Sequence, residues 1–237
     1  MQETSIKILC TRPLSEELLL SVRQQGVVID VLPFIETEPI QTIETQQEIE
    51  QALVKSAVVV FTSTSAVEAV AYYMEEVQPD WRIYCIGNAT SSLVAEYFGE
   101  AAIADTASDA AELAELIVEE EPADEEVIFF CGSQRRDELP EILESNGFEL
   151  TEIVVYHTIA VPHKISKTYN GILFFSPSAV DSFFSNNKVS GPTLLFAIGN
   201  TTARAIQKHT ANKVIVSDEP GKEELVEKML EIFGKSE

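Results

Sequence analysis

Cations are scarce in this chain: 16 Lys and Arg stand against 39 Asp and Glu among 237 residues, a net charge of −23. A nucleic-acid or anionic-membrane partner is excluded on that ground, because phosphate binding needs clustered Lys and Arg. Runs such as Glu119-Glu120-Glu121 and Asp124-Glu125-Glu126 read as solvated, solubilising surface. Cysteine is scarce too. Cys10, Cys85 and Cys131 are an odd number with no C-x-x-C pair, which argues against a disulfide framework or a zinc site and fits a reducing cytosol. Each reads as a small hydrophobe in or beside a strand. No apolar run reaches the ~20 residues that span a bilayer. Met1 to Lys7 has one late lysine and no apolar core, so no signal peptide is expected and the expected location is cytoplasmic. The three histidines, His157, His163 and His209, lack metal-like spacing. The phosphate loop G-x-x-x-x-G-K-S/T, the dinucleotide fingerprint G-x-G-x-x-G and the G-x-S-x-G elbow are all missing. A receiver domain would want an Asp at the end of its third strand, where this chain has Thr62 and Ser63. No metal and no cofactor are expected.

What is present is strict alternation. Strands are expected at Ile6–Cys10, Val27–Phe34, Ala57–Thr62, Ile83–Gly87, Ala101–Ala104, Val127–Cys131, Glu152–Tyr156, Ile172–Phe175, Leu194–Ile198 and Lys213–Val216. They are rich in Val, Ile and Phe and mostly apolar on both faces, the pattern of strands covered by helices on either side. Amphipathic stretches lie between them, at Ser15–Gln25, Thr45–Lys55, Ser65–Glu76, Thr90–Phe98, Asp109–Glu120, Asp137–Asn146, Ser178–Phe184, Thr201–His209 and Lys222–Phe233. Several open on a Ser, Thr, Asn or Asp that can cap the first turn. Gly26, Gly99 and Gly147 stand just past helix ends, where a positive φ is wanted. The fold class is α/β with parallel sheets.

The chain also repeats itself. Phe61-Thr-Ser-Thr-Ser-Ala-Val-Glu68 matches Phe174-Phe-Ser-Pro-Ser-Ala-Val-Asp181 at an offset of 113, and Ile86-Gly-Asn-Ala-Thr90 matches Ile198-Gly-Asn-Thr-Thr202 at 112. Cys10 and Gly26 recur as Cys131 and Gly147 at an offset of 121. A tandem duplication follows, with about five strands per copy, the size of a flavodoxin-like sheet. IETEPI (Ile35 on) and HTIAVP (His157 on) each follow the second strand of a copy and carry a proline, and they read as crossings between lobes.

In open parallel sheets ligands bind beyond the carboxyl ends of the strands. Five turns bearing hydroxyls or amides fall there: Thr62-Ser63-Thr64-Ser65, Gly87-Asn88-Ala89-Thr90, Gly132-Ser133-Gln134, Ser176-Pro177-Ser178 and Gly199-Asn200-Thr201-Thr202. Any one of them is most simply a helix cap. As a set they suit a large ligand. Helix N-termini expose unpaired N–H groups, so carboxylates can be held there without a basic patch. Arg12 also follows a strand end and could pair with a carboxylate, with a solvated arginine as the alternative reading.

At these turns the sequence resembles the uroporphyrinogen-III synthase family. The matching stretches are FTSTSAVEAV (Phe61 on), IGNATSSLV (Ile86 on), ASDAAELAELI (Ala107 on), CGSQRRDELPEIL (Cys131 on), VVYHTIAVP (Val154 on), FFSPSAV (Phe174 on) and AIGNTTARAI (Ala197 on). The match runs in order from Ile6 to Phe233. The resemblance implies two flavodoxin-like lobes that exchange segments across a two-stranded linker. One lobe would hold 1–35 with 163–237 and the other 41–156, with 36–40 and 157–162 as linker. It implies an enzyme, a cyclising hydro-lyase that turns hydroxymethylbilane, a linear polycarboxylate tetrapyrrole, into uroporphyrinogen III without metal or coenzyme, in the cleft between the lobes. The substrate's terminal hydroxyl leaves as water. Ring D is then attacked at its substituted carbon to give a spiro intermediate, which recloses with that ring inverted.

By the same resemblance Tyr156 is the general acid, since a phenol can donate to a departing hydroxyl. Thr90, Thr201 and Thr202 match the family's threonines and would bind acetate or propionate side chains, and Ser63, Ser176 and Ser178 match its serine turns. Arg12, Thr62, Asn88, Gly132, Ser133 and Asn200 are further expected substrate contacts. Ser65 departs from members that place a basic residue in that turn. A transient contact with the preceding enzyme of the pathway is the protein partner the resemblance suggests. No large apolar patch is legible, so a monomer is expected. A two-lobed module that binds a tetrapyrrole or another anion without turning it over would share the fold, since fold does not fix function.

Overall fold

A computed structural model describes residues 6–74, 78–189, 191–219 and 221–234. The chain divides into two compact units, Met1–Glu36 with Ile159–Glu237 (unit 1) and Thr37–Thr158 (unit 2).

Unit 1 is built on the strands β1 (Ile6–Cys10), β2 (Val27–Val31), β9 (Gly171–Phe174), β10 (Leu194–Ala197) and β11 (Val214–Val216), in the order β2-β1-β9-β10-β11 and parallel throughout. Its helices are α1 (Glu16–Gln24), α7 (Pro177–Asn186), α8 (Asn200–Gln207) and α9 (Lys222–Phe233). Unit 2 carries β3 (Ile35–Pro39), β4 (Ala57–Phe61), β5 (Trp81–Ile86), β6 (Ile103–Ala107), β7 (Glu126–Gly132) and β8 (Glu149–Ala160), in the order β3-β8-β7-β4-β5-β6. Its helices are α2 (Ile43–Leu53), α3 (Thr64–Ala71), α4 (Asn88–Phe98), α5 (Ala110–Glu120) and α6 (Glu138–Ser145). β8-β7-β4-β5-β6 is parallel and places its strands as β2-β1-β9-β10-β11 does. The offset of 121 relates β1 to β7, and the offset of 113 relates β4 to β9.

Both faces of each sheet are covered, which is why the strands are apolar on both sides. In β4, Val58 and Val60 join one buried cluster with Leu113, Ile117 and Phe129, while Val59 and Phe61 join another with Val67, Val70 and Phe130. Removing each such side chain from water contributes about 1.5–3 kcal/mol. The helices start where cap residues stand. Ser15, Thr42, Ser63, Asp109 and Ser176 each accept a backbone N–H of the following first turn. Gly26, Gly99 and Gly147 have φ of 79°, 89° and 89° at helix exits.

Several elements differ from expectation. The crossing at Ile35 is strand β3, an edge strand beside β8, where Pro39 takes the last position and its missing N–H costs no ladder bond. Ile40 N–H donates to the Val155 carbonyl and Val161 N–H to that of Phe34, so numbers rise along one strand as they fall along the other, the mark of an antiparallel pair. That pairing carries β8 on to Ala160, well past Tyr156. β6 begins at Ile103 rather than Ala101, because a short 3-10 turn takes Glu100–Ala102. α3 stops at Ala71, so Tyr72–Met74 are not helical as expected, and the last two residues expected of it, Glu75 and Glu76, lie outside the described residues.

All three cysteines are buried free thiols. Burial is the main cause that pushes Cys10 up to about 12 and Cys85 and Cys131 to about 11. The thiolate is the reactive form. An aromatic disulfide reagent at pH 8 is therefore expected to label none of them in the folded protein and all three in denaturant. Prompt labelling of one thiol in the folded state would contradict this packing. Among the described residues no helix is long and apolar enough to cross a membrane.

Candidate functional site

The carboxyl ends of β4 and β7 meet the middle of β8, at Tyr156, in unit 2. Phe61 ends β4, Thr62 follows half-buried, and Ser63 caps α3 by accepting the Ala66 N–H at 3.3 Å. Ser63 Oγ donates to Tyr156 Oη at 3.1 Å. The pairing of β7 with β8 skips a residue here: Cys131 pairs with Val154, but Gly132 pairs with Tyr156. This is a β-bulge, a device that re-aims a side chain. Its effect is visible in the packing. Val155 and Tyr156 both lie against the same apolar cluster, which regular alternation forbids.

The re-aimed ring covers Gly132. A Cβ on Gly132 would sit 2.7 Å from Tyr156 Oη and closer still to ring carbons Cζ and Cε2. Glycine is required there by the ring and not by its backbone angles, since its φ is not positive. Ser133 N–H donates to the Tyr156 carbonyl at 2.9 Å, locking the bulge from the main chain. Thr62, Ser63, Gly132, Ser133 and Tyr156 are thus neighbours. Because the serine hydroxyl spends its proton on Tyr156 Oη, the phenol's own proton stays available to an incoming group.

Asn88 and Thr90 are the first and third residues of α4, which opens on Gly87 with φ 78°. Asn200, Thr201 and Thr202 are the first three residues of α8, in unit 1. Neither helix has a side-chain cap, so first-turn N–H groups are not taken by a cap residue. Asn88, Asn200 and Thr201 are exposed, whereas Thr90 and Thr202 are buried in their first turns at 5% and 2% exposure. Ser176 caps α7 by accepting Ala179 N–H, and Ser178 lies one turn position inside the same helix. Arg12 stands exposed just past β1.

One residue at this edge escaped the sequence reading. Thr11 is buried and its hydroxyl donates to the Leu173 carbonyl at 2.8 Å, tying the end of β1 to β9. The offset of 121 pairs Thr11 with Gly132, and that correspondence was the signal available. Two surface hollows of unit 1, about 240 and 520 Å³, lie elsewhere, against Lys164, Ile165, Lys167 and Tyr169. None of the expected site residues lines either one. Among the described residues no three or more His, Cys, Asp or Glu are grouped to hold a metal ion.

A family model described as "Uroporphyrinogen-III synthase HemD" matches residues 15–227. The "Porphyrin biosynthesis protein HemD" of Ruminiclostridium josui is 25% identical over 246 residues, covering 96% of this chain and 49% of that protein. The chain therefore spans about half the length of that relative. The "Uroporphyrinogen-III synthase" of Chlorobaculum parvum is 23% identical over 222 residues, covering 85% of this chain and 88% of the other. Among solved structures, uroporphyrinogen-III synthetase from Helicobacter pylori superposes with a TM-score of 0.65 at 16% identity, covering 96% of this chain and 99% of that one. A mutant uroporphyrinogen III synthase from Thermus thermophilus does so with a TM-score of 0.60 at 12% identity, covering 95% and 98%. These likenesses establish a shared α/β fold with parallel sheets.

Proposed function

The chain belongs to the uroporphyrinogen-III synthase family, and we propose that it cyclises hydroxymethylbilane to uroporphyrinogen III, with loss of water and inversion of ring D through a spiro intermediate. In this reading it is a hydro-lyase of tetrapyrrole synthesis that works as a cytoplasmic monomer.

The observation that carries the proposal is the Tyr156 phenol, re-aimed by a bulge, seated on Gly132 and held by Ser63. The reaction needs a proton delivered to a departing hydroxyl, and a fixed phenol whose oxygen already accepts a hydrogen bond is suited to that step. Accepting from Ser63 leaves the phenolic proton pointing elsewhere and steadies the oxygen as charge builds on it. The rest of the work is orientation. Unassisted closure gives the symmetric isomer I, so the protein must hold the chain where the hindered carbon of ring D is the atom attacked. The exposed Asn88, Asn200 and Thr201 and the first-turn amides of α4 and α8 supply donors for acetate and propionate groups. Ser176, Ser178 and Arg12 supply more from unit 1.

Product analysis decides it. Hydroxymethylbilane is generated in situ, the protein is added, the products are oxidised and the uroporphyrin isomers are separated. Predominantly isomer III is expected. Isomer I alone, at the rate of the blank, would leave a non-catalytic binding module in its place.

A further inference from the structure

The turn that follows β7 has little burial to hold it. Ser133, Gln134, Arg136 and Asp137 are exposed, and Arg135 alone of residues 133–137 is half-buried. Yet this turn sets the seat of Tyr156. It leaves from Gly132, under the phenol ring, and its first amide, Ser133 N–H, donates to the Tyr156 carbonyl at 2.9 Å. That bond fixes one point of the turn.

Arg135 fixes a second. Its Nη2 donates to Glu152 Oε1 at 2.7 Å and its Nε donates to Glu152 Oε2, so the carboxylate on β8 takes both arms of the fork. Its Nη1 donates to Asp137 Oδ1. The Arg135 and Glu152 side chains are each 27% exposed, and a forked pair of this kind is the strong form of ion pair. The two fixed points bracket the bulge. Glu152 lies opposite Phe129 and Tyr156 opposite Gly132, so β8 advances four residues where β7 advances three. The turn is tied to β8 before the extra residue by the Arg135 side chain, and beyond it by the Ser133 amide.

Asp137 shows that the pairing serves the turn and not the helix. It stands at the N-cap of α6, where an aspartate ordinarily accepts a first-turn N–H, and its side chain makes no such bond. Its carboxylate goes to Arg135 instead. Asp109, in the same position on α5, does cap its helix, accepting from Ala111 and Glu112 N–H.

We propose that Arg135 is a positioning residue for Tyr156. Shared between Glu152 and Asp137, its guanidinium clamps the 133–137 turn onto β8 and so holds the bulge that seats the phenol over Gly132. With its charge matched by two carboxylates, it acts through the turn and not as a seat for the substrate. The proposal rests on the reading of Tyr156 as the general acid.

The test uses full-length variants and isomer-resolved kinetics. Arg135→Gln is expected to lower kcat about tenfold with KM within about twofold, because the acid is misplaced while the groups that bind substrate are untouched. Arg135→Lys should recover only part of the loss, since an ammonium cannot span two carboxylates as a planar fork does. In a Tyr156→Phe background Arg135→Gln should lower kcat less than about twofold further. Lys55→Gln, which removes the ion pair with Glu126 at the opposite end of β7, is the control and should leave kcat within about twofold. A second readout needs no turnover. The Cζ resonance of Tyr156, in protein carrying isotope-labelled tyrosine and assigned by its loss in Tyr156→Phe, should move in Arg135→Gln and stay in Lys55→Gln. The isosteric Glu152→Gln carries the same comparison where Arg135→Gln does not fold. An Arg135→Gln kcat within about twofold of the parent, an equal loss in both backgrounds, or an unmoved Tyr156 resonance overturns the proposal. If the parent chain makes only isomer I, the synthase reading falls while the resonance still decides the clamp.

Discussion

Replacing Tyr156 with phenylalanine is expected to lower kcat about 10²-fold or more, with KM within about threefold. The phenylalanine keeps the ring over Gly132 and the packing against the unit 2 core, and removes only the oxygen that Ser63 holds. General-acid assistance is typically worth ~10²–10⁴-fold. At about 1.4 kcal/mol per decade that is roughly 3 kcal/mol or more of barrier. Stability should fall by only about 1 kcal/mol, the usual loss for one hydrogen bond. The isomer ratio gives a second readout. As the catalysed path slows, unassisted closure takes a larger share, so isomer I should rise in proportion as the rate falls. A Tyr156→Phe protein within threefold of the parent kcat would show that the phenol has no part in proton transfer.

The parallel strands were legible because burial on both faces leaves a plain mark. Ala57–Phe61 is apolar at every position, and all five residues are buried. The helices were legible through their caps. β3 was not, because Glu36 and Glu38 face solvent and Pro39 ends it, so it shows neither an apolar run nor a clean alternation. β8 was cut short for a related reason. Beyond Tyr156 most of its residues are exposed, and what continues the strand is pairing rather than burial. At the site, residue types were readable and geometry was not. Ser63, Gly132 and Tyr156 could each be named, but the bulge that sets Tyr156 opposite Gly132 depends on a register shift that no local pattern records.

The bulge leads to the second large effect. Gly132→Ala should reduce kcat about as much as loss of the phenol, although it removes no functional group. The new methyl would lie 2.7 Å from Tyr156 Oη and nearer to two ring carbons, distances that carbon contacts do not sustain, so the ring has to leave its seat. It cannot do so and keep the hydrogen bond from Ser63. Gly132 has no positive φ, so alanine brings no backbone strain, and overpacking is the whole cost, about 1–3 kcal/mol of stability. That attribution is checked by a double-mutant cycle. In a Tyr156→Ala background the ring is gone, the methyl has room, and Gly132→Ala should cost little further stability and no further activity. Additive losses in the cycle would mean that Gly132 acts on its own account, through the main chain at the end of β7, and would separate the glycine from the phenol it now supports.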